Sequence, residues 1–442
     1  MTAQNNKKNV IASANSESVI ASEERAKQSL TSEHKSQKPS HDATANNKQI
    51  ASKSSLRGTK QTTTKKSLSL KPKLRFKEFD EEWIIAKVID FAPLQRGFDL
   101  PVIEIKEGKY PVVFSNGILK THNEFKAYSP GVVTGRSGTI GKVTYVENDY
   151  WPHNTALWVT DFKGNDPKYV YYFYSNFKLE RLGTGSGVPT LNRNDVHAQR
   201  RCIPKLPEQQ KIANFLTAVD TKIQQLNTKK ELLEQYKKGV MQQLFSQVLR
   251  FKDDDGNDFP DWKEVKGNML FKSVSDKNHS SDLPILAITQ DQGAIPREMI
   301  NYKMIVTEKS VASYKVVQVG DFIISLRSFQ GGIEYSNYKG ICSPAYNILR
   351  PVSEEINKDF YKRYLKTDKY IRQLQSKLEG IRDGKMISFK YFSEIKLPFP
   401  SLKEQQKIAT YLSAIDTKIE SVATQISKTE TFKKGLLQQL FV

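Results

Sequence analysis

Glu208-Gln-Gln-Lys-Ile-Ala-Asn-Phe-Leu-Thr-Ala-Val-Asp-Thr-Lys-Ile223 and Glu404-Gln-Gln-Lys-Ile-Ala-Thr-Tyr-Leu-Ser-Ala-Ile-Asp-Thr-Lys-Ile419 lie 196 residues apart and differ at four of sixteen positions. The match runs on without a gap to Lys237-Lys-Gly-Val-Met-Gln-Gln-Leu-Phe245 and Lys433-Lys-Gly-Leu-Leu-Gln-Gln-Leu-Phe441, with 21 identities in 38 positions. Such an internal repeat sets the architecture before any local reading. In the first copy the apolar residues Ile212, Leu216, Val219, Ile223, Leu226, Leu233, Val240 and Leu244 step by fours and threes, with Lys230 and Lys237 filling the pattern. In the second, Ile408, Leu412, Ile415, Ile419, Val422, Ile426, Leu436 and Leu440 do the same, with Thr429 and Lys433 between. That is a heptad seam, and it predicts two long helices. At ~1.5 Å per residue, 38 residues make rods of about 57 Å. Pro207 suits a first helical turn, and Ser401-x-x-Glu404 fits a capping box. Gly239 and Gly435 interrupt both rods at a cost near ~1 kcal/mol each, which reads as room for a closely approaching partner.

Outward from the rods, a shorter motif repeats. Leu74-Arg-Phe-Lys77 recurs as Leu249-Arg-Phe-Lys252, each followed by a tryptophan, Trp83 and Trp262. The chain therefore divides into a polar tail (1–72), a globular head (73–206), a helix (207–248), a second head (249–401) and a second helix (402–442). The tail has no aromatic residue and carries 13 Lys/Arg against 5 Asp/Glu, a composition that does not offset its ordering entropy and reads as disordered. It holds 8 of the chain's net +20 charges, so the rest is only mildly basic and the total is weak evidence for a polyanionic partner. No window approaches the ~18 apolar residues of a membrane span, and no apolar segment follows the start as a secretory signal would. Two cysteines, Cys202 and Cys342, make neither a disulfide framework nor a zinc cluster. These features fit a soluble protein of the cell interior.

Both heads read as mixed α/β. In the first, Tyr110–Phe114, Gly131–Thr134, Lys142–Val146 and Thr155–Val159 are expected strands, and Tyr169-Val-Tyr-Tyr-Phe-Tyr174 leads into a helix. In the second, Leu283–Ile288, Ile305-Val306, Gly320–Ser325 and Ala345–Leu349 are expected strands, and Phe360 to Leu378 a helix. Glycine-rich turns with polar and basic groups recur in comparable places. Thr134, Arg136, Ser137 and Thr139 occupy the first head's turn, and Arg327, Ser328 and Gln330 the second's. Later loops bring Thr190, Asn192 and Arg193, and then Arg382, Lys385, Ser388 and Lys390. Arginine beside hydroxyl and amide groups at strand ends suits contact with phosphates and base edges.

Catalytic signatures fail on spacing. Gly135 and Gly141 enclose five residues rather than the four of a phosphate loop, and Val143 follows Lys142 where Ser or Thr is needed. Asp261 and Glu264 in Pro260-Asp-Trp-Lys-Glu264-Val-Lys266 are too close for a nuclease strand pair, and no Asn/Asp-Pro-Pro-Tyr/Phe run marks a base methyltransferase. The six histidines, at 34, 41, 122, 153, 197 and 279, form no close pair, and His153 reads as structural. A scaffold whose heads bind proteins is the competing reading; a self-sufficient DNA enzyme is the poorer third.

The doubled helix motif, with Leu74-Arg-Phe-Lys77, Trp151-Pro-His-Asn154-Thr-Ala-Leu157 and Gly187-Val-Pro-Thr-Leu-Asn192, resembles the specificity subunit of Type I restriction-modification enzymes over about 74–442. The resemblance implies two target-recognition domains, each reading one half of a bipartite double-stranded DNA site, with Asn154 among the DNA-contact candidates. It implies an antiparallel coiled coil of the two helices and a pseudo-twofold molecule. It implies docking of two modification subunits and of restriction subunits in a cytoplasmic complex. S-adenosylmethionine, ATP and Mg²⁺ then belong to those other subunits, and this chain carries no cofactor or metal and no catalysis of its own. Seam and flanking residues fall to spacing and docking: Ile212, Phe215, Leu216, Val219, Ile223, Leu226, Gly239, Leu244 and Phe245, and Ile408, Tyr411, Leu412, Ile415, Ile419, Val422, Gly435, Leu440 and Phe441. Leu232, Tyr236, Met241, Phe432 and Leu437 are further apolar residues beside the seam left for a partner.

Overall fold

The computed structural model describes residues 71–185, 187–279, 282–300, 311–376 and 387–442. The tail, except for its last two residues, and the strand expected at Ile305-Val306 lie outside them. In chain order the first head carries β1 (Ile84–Lys87), β2 (Leu94–Arg96), β3 (Tyr110–Phe114), β4 (Gly117–His122), β5 (Gly131–Gly135), β6 (Val143–Val146), β7 (Trp151–Pro152) and β8 (Ala156–Val159). There follow α1 (Pro167–Asn176), β9 (Gly183–Thr184), β10 (Thr190–Leu191), α2 (Arg193–His197), β11 (Arg200–Ile203) and the first rod, α3 (Leu206–Phe245).

The main sheet runs β2-β8-β5-β6, and β4-β3-β7 makes a second. β5 lies between two partners and is buried along its whole length, so it carries only small or β-branched residues and no charge. Successive side chains leave a strand on opposite faces. Accordingly Val132 enters the core shared with the rods, while Val133 enters a smaller core with Val113, Val146 and Tyr150. The tyrosine-rich run 169–174 is itself helix α1. Asp166 Oδ1 accepts from Tyr169 N at 2.8 Å and Pro167 occupies the first turn, a start strong enough to override the β propensity of the run.

The second head carries β12 (Lys263–Lys266), β13 (Phe271–Val274), β14 (Leu286–Thr289), β15 (Gly293–Pro296), β16 (Lys315–Val317), β17 (Phe322–Ile324), β18 (Glu334–Tyr335), β19 (Gly340–Cys342) and β20 (Asn347–Pro351). α4 (Lys358–Tyr364), α5 (Asp368–Ser376), α6 (Phe389–Glu394), β21 (Lys396–Phe399) and the second rod, α7 (Leu402–Leu440), complete it. Its sheet β13-β20-β17-β18 repeats the order of the first, and β12-β21 repeats β1-β11. The heads thus share a plan that their sequences barely show. The single helix expected from Phe360 to Leu378 is broken. Thr367 Oγ1 donates to Tyr364 O at 2.7 Å and accepts from Tyr370 N at 3.3 Å, ending α4 and starting α5.

The rods pack antiparallel, and the seam lysines set their register. Lys237 Nζ lies 2.6 Å from Asp416 Oδ1, and Lys433 Nζ lies 2.6 Å from Asp220 Oδ1. Each pair is the other's image under the repeat. Ile212, Leu216 and Val219 of α3 join Leu436 and Leu440 of α7 in the first head's core. Val240, Leu244 and Phe245 join Ile408, Leu412 and Ile415 in the second's. The heads therefore sit at opposite ends of the pair. Between Val219 and Val240 the rods span about 32 Å at ~1.5 Å per residue.

The Glu-Gln that opens each rod fastens it to its head. Glu208 accepts from Arg75 Nε and Nη2, both at 2.8 Å, and from Trp83 Nε1 at 3.0 Å. Glu404 accepts from Arg250 Nε and Nη2, both at 3.2 Å. Ser401 Oγ accepts from Glu404 N as expected, but the glutamate side chain is committed to Arg250, so the box is one-sided. Gln209 Oε1 accepts from Asp166 N at 3.0 Å and Gln405 Oε1 from Asn357 N at 2.8 Å, binding each rod to the start of its head's helix. Leu249 N donates to Gln243 O at 3.1 Å, and across the repeat Leu74 N donates to Gln439 O at 3.0 Å. Each rod end thus receives a head's leading segment in the same way.

A Cβ on Gly239 or Gly435 would meet nothing within 4 Å, so both glycines face open space among the described residues. One expectation is corrected. Several flanking aromatics are consumed inside the chain. Phe215 meets Phe76, Phe245 meets Phe360 and Tyr364, Tyr411 meets Phe251, and Phe441 stacks on Tyr169. Met241 and Leu437 are half-buried, while Leu232, Tyr236 and Phe432 remain exposed.

Candidate nucleic-acid interface

Four loops of the first head converge. The turn after β5 holds Arg136, whose backbone oxygen accepts from Leu191 N at 2.7 Å, and Ser137 bridges to Thr190. This joins the two glycine-rich segments that the sequence reading treated separately. The turn after β7 adds Asn154, whose carbonyl accepts from Arg136 Nη1 at 3.4 Å. The segment leaving β2, Gln95-Arg-Gly-Phe-Asp99, closes the fourth side. The β2 segment, the Arg136 turn and the Thr190–Arg193 loop line an open groove of about 690 Å³, walled by Arg96, Asp99, Arg136, Thr190, Asn192 and Arg193 among others, with the Asn154 turn bonded to Arg136 behind it.

The frame beneath is built from a buried and a half-buried histidine and one glycine. A Cβ on Gly97 would collide with the carbonyl oxygens of Pro152 and His153, so only glycine lets the two loops touch. His153 is buried between Thr155 Oγ1 at 2.9 Å and Leu100 O at 3.2 Å, which bears out its structural reading. His197 Nε2 accepts from Leu94 N at 2.9 Å. Burial lowers the pKa of both rings below the ordinary histidine range. The unfolded chain then binds more protons than the folded one just below pH ~6.5, so stability is full above that value and falls as pH drops through it. We expect the first head's melting temperature to decline between pH 7 and 5.5, and the decline to shrink in His197→Gln.

Not every expected contact faces this groove. Thr134 is buried, with Oγ1 donating to Lys142 O at 3.1 Å, and is part of the sheet. Thr139 is exposed at its turn; Asn192 lines the groove, but its Oδ1 caps α2 by accepting from Asn194 N at 3.0 Å. In the second head Ser328 is fully buried, accepting from Ser325 N at 2.8 Å, whereas Arg327 and Gln330 are exposed. Ser388 caps α6 and Lys390 is exposed on it; Arg382 and Lys385 lie outside the described residues. The reading missed Gln95, Arg96 and Asp99. Their only local signal is a glycine between charged residues just after a short strand.

The family described as "Type I restriction modification DNA specificity domain" matches twice, at residues 80–235 and 261–431. The chain belongs to this specificity family. Each match comprises one head and most of its rod, so the specificity domain is the unit duplicated here. The chain is 27% identical over 325 residues to the putative type I restriction enzyme MjaX specificity subunit of Methanocaldococcus jannaschii, covering 68% of this chain and 74% of that one. It is 28% identical over 296 residues to the MjaVIII specificity subunit of the same organism, covering 61% and 69%. In fold it is similar to the S subunit of a type I restriction-modification system from M. genitalium, with a TM-score of 0.53, 18% identity, and 84% and 99% of the two chains covered. Among the described residues of this specificity protein, no helix is long and apolar enough to cross a membrane.

Proposed function

We propose that this chain reads a bipartite double-stranded DNA site, one half per head, and directs the modification and restriction subunits of a type I complex to it. The carrying observation is the placement of a polar, arginine-walled groove on a head fixed at one end of a rigid antiparallel pair, with a second head of like plan at the other. The bare span of about 32 Å is close to one turn of B-DNA, ~34–36 Å, the spacing at which two heads meet the same face of a duplex. Exposed Leu232, Tyr236 and Phe432 beside the seam are the docking residues we favour for two modification subunits. On this reading S-adenosylmethionine, ATP and Mg²⁺ act in the other subunits and adenine methylation or ATP-driven cleavage is theirs; this chain chooses the address, in the cytoplasm.

The test is co-purification with a modification subunit followed by methylome sequencing. Loss of one bipartite methylated motif on deletion is expected; an unchanged methylome overturns the reading. Within the motif, Arg136→Ala should cost ~1–3 kcal/mol at one half-site and leave the other intact. A uniform loss across all sequences would instead make Arg136 a phosphate contact.

A further inference from the structure

Asp99 is the one carboxylate among the described residues lining the groove, where it stands with Arg96, Arg136 and Arg193. A groove built only for phosphate gains nothing from it, because an anion repels the backbone. Nor is it there for stability: its side chain is 65% exposed and that of Arg96 49%, and an exposed ion pair contributes little. Yet it is held firmly. Oδ1 accepts from Arg96 Nη2 at 2.7 Å and also from Asn154 Nδ2. Both donors fall on the same oxygen, and Oδ2 has no donor among the described residues. The segment that carries it is pinned at Gly97 against the carbonyls of Pro152 and His153. This is an acceptor prepared for a donor that arrives from outside.

We propose that Arg96 and Asp99 form a dyad that reads one G·C pair in the major groove, a residue-level assignment that rests on the DNA reading above. Across its major-groove edge a G·C pair offers two acceptors, guanine N7 and O6, then one donor, the cytosine N4 amino group. Arg96 supplies donors to the first two, and Asp99 Oδ2 accepts from the third. An A·T pair in the same place fits worse: the adenine N6 amino group would meet the arginine donors, and thymine O4 would meet the acceptor-only carboxylate. Arg96 Nη2 and Asp99 Oδ1 stand 2.7 Å apart, which holds the two side chains side by side as one reading unit.

The experiment selects double-stranded DNA from a randomised pool with the full chain and sequences the bound fraction. Wild type should require G·C at one position of one half-site. Asp99→Ala should reduce that preference roughly 5- to 150-fold, leave the other half-site unchanged, and not weaken binding to random DNA, since it removes a charge that repels phosphate. Arg96→Ala should relax the same base pair. Asp99→Asn, which keeps an acceptor for Arg96 and Asn154, should shift the preference toward A·T, because an amide matches adenine N6 and N7. A wild-type motif that survives Asp99→Ala overturns the dyad and leaves the DNA reading standing, and so does a variant weakened equally on every sequence. A wild type that selects no motif overturns the DNA reading itself, and the dyad with it.

Discussion

Glu208→Ala should destabilise the first head more than any other single substitution in the clamp that holds it to its rod. Glu208 is almost fully buried and receives three hydrogen bonds, two from Arg75 and one from Trp83. The Glu208 hydrogen bond raises the Arg75 guanidinium above its ordinary pKa, and arginine stays protonated even without it, so removing the carboxylate leaves a cation without its partner. Arg75 would then keep one acceptor, Glu81 O, and Trp83 Nε1 would lose its acceptor in the core. Breaking a buried pair by deleting one partner costs ~3–5 kcal/mol, which corresponds to a melting shift of roughly 6–20 °C for a head with its rod. Glu404→Ala should be milder. Arg250 retains Phe259 O, Pro260 O and Asp261, and it is the more exposed of the two arginines. Glu208→Gln, which keeps an acceptor for Trp83, should fall between. Differential scanning calorimetry of the three variants decides the order. Glu208→Ala melting within a degree or two of wild type would show that the clamp is ornamental and that the rod is held by its apolar seam alone.

This clamp also shows what a sequence can and cannot reveal. The repeat of Glu-Gln at 208 and 404, and of Leu-Arg-Phe at 74 and 249, is legible at once, and it predicts two heads and two rods. That the two motifs are halves of one contact is not legible, because Arg75 and Glu208 stand 133 residues apart and nothing local links them. The same holds for Lys237 and Lys433. On the heptad they look like defects, and only the antiparallel register supplies Asp416 and Asp220. Period and propensity are local, so rods and most strands follow from them; partners across the fold do not. The groove illustrates the remainder. Arg136 and Thr190 are visible as polar glycine-rich loops, but Asp99 enters only when β2 is laid beside β8. Thr134 and Ser328 err the other way: polarity in a turn looks like exposure, yet both hydroxyls are spent inside the sheet and turn.

Lengthening both rods by one helical turn, four residues after Thr228 and four after Thr424, should widen the recognised gap by one or two base pairs while both half-sites persist. Four residues add about 6 Å and turn the following head by about 40°. One base pair advances the duplex ~3.4 Å and turns it by about 34°, from ~10.5 pairs per turn, so ~6 Å corresponds to about 1.8 base pairs and about 60° of DNA twist, within about 20° of the protein's own turn. The insertion must be made in both helices. Lys237 reaches Asp416 and Lys433 reaches Asp220 across antiparallel rods, so an insertion in α3 alone separates Asp220 from Lys237 on one helix while their partners keep their spacing on the other. One ion pair must then break, and two half-buried lysines of the seam no longer both find a carboxylate. We therefore expect the single insertion to lower the melting temperature and blur the gap, and the double insertion to restore a sharp gap at the new length. Selection from a pool of half-sites held at varied spacing reads both outcomes. A double insertion that leaves the gap unchanged would mean that the heads, not the rods, set the spacing. Altered half-sites would mean that the rods also shape the reading surfaces.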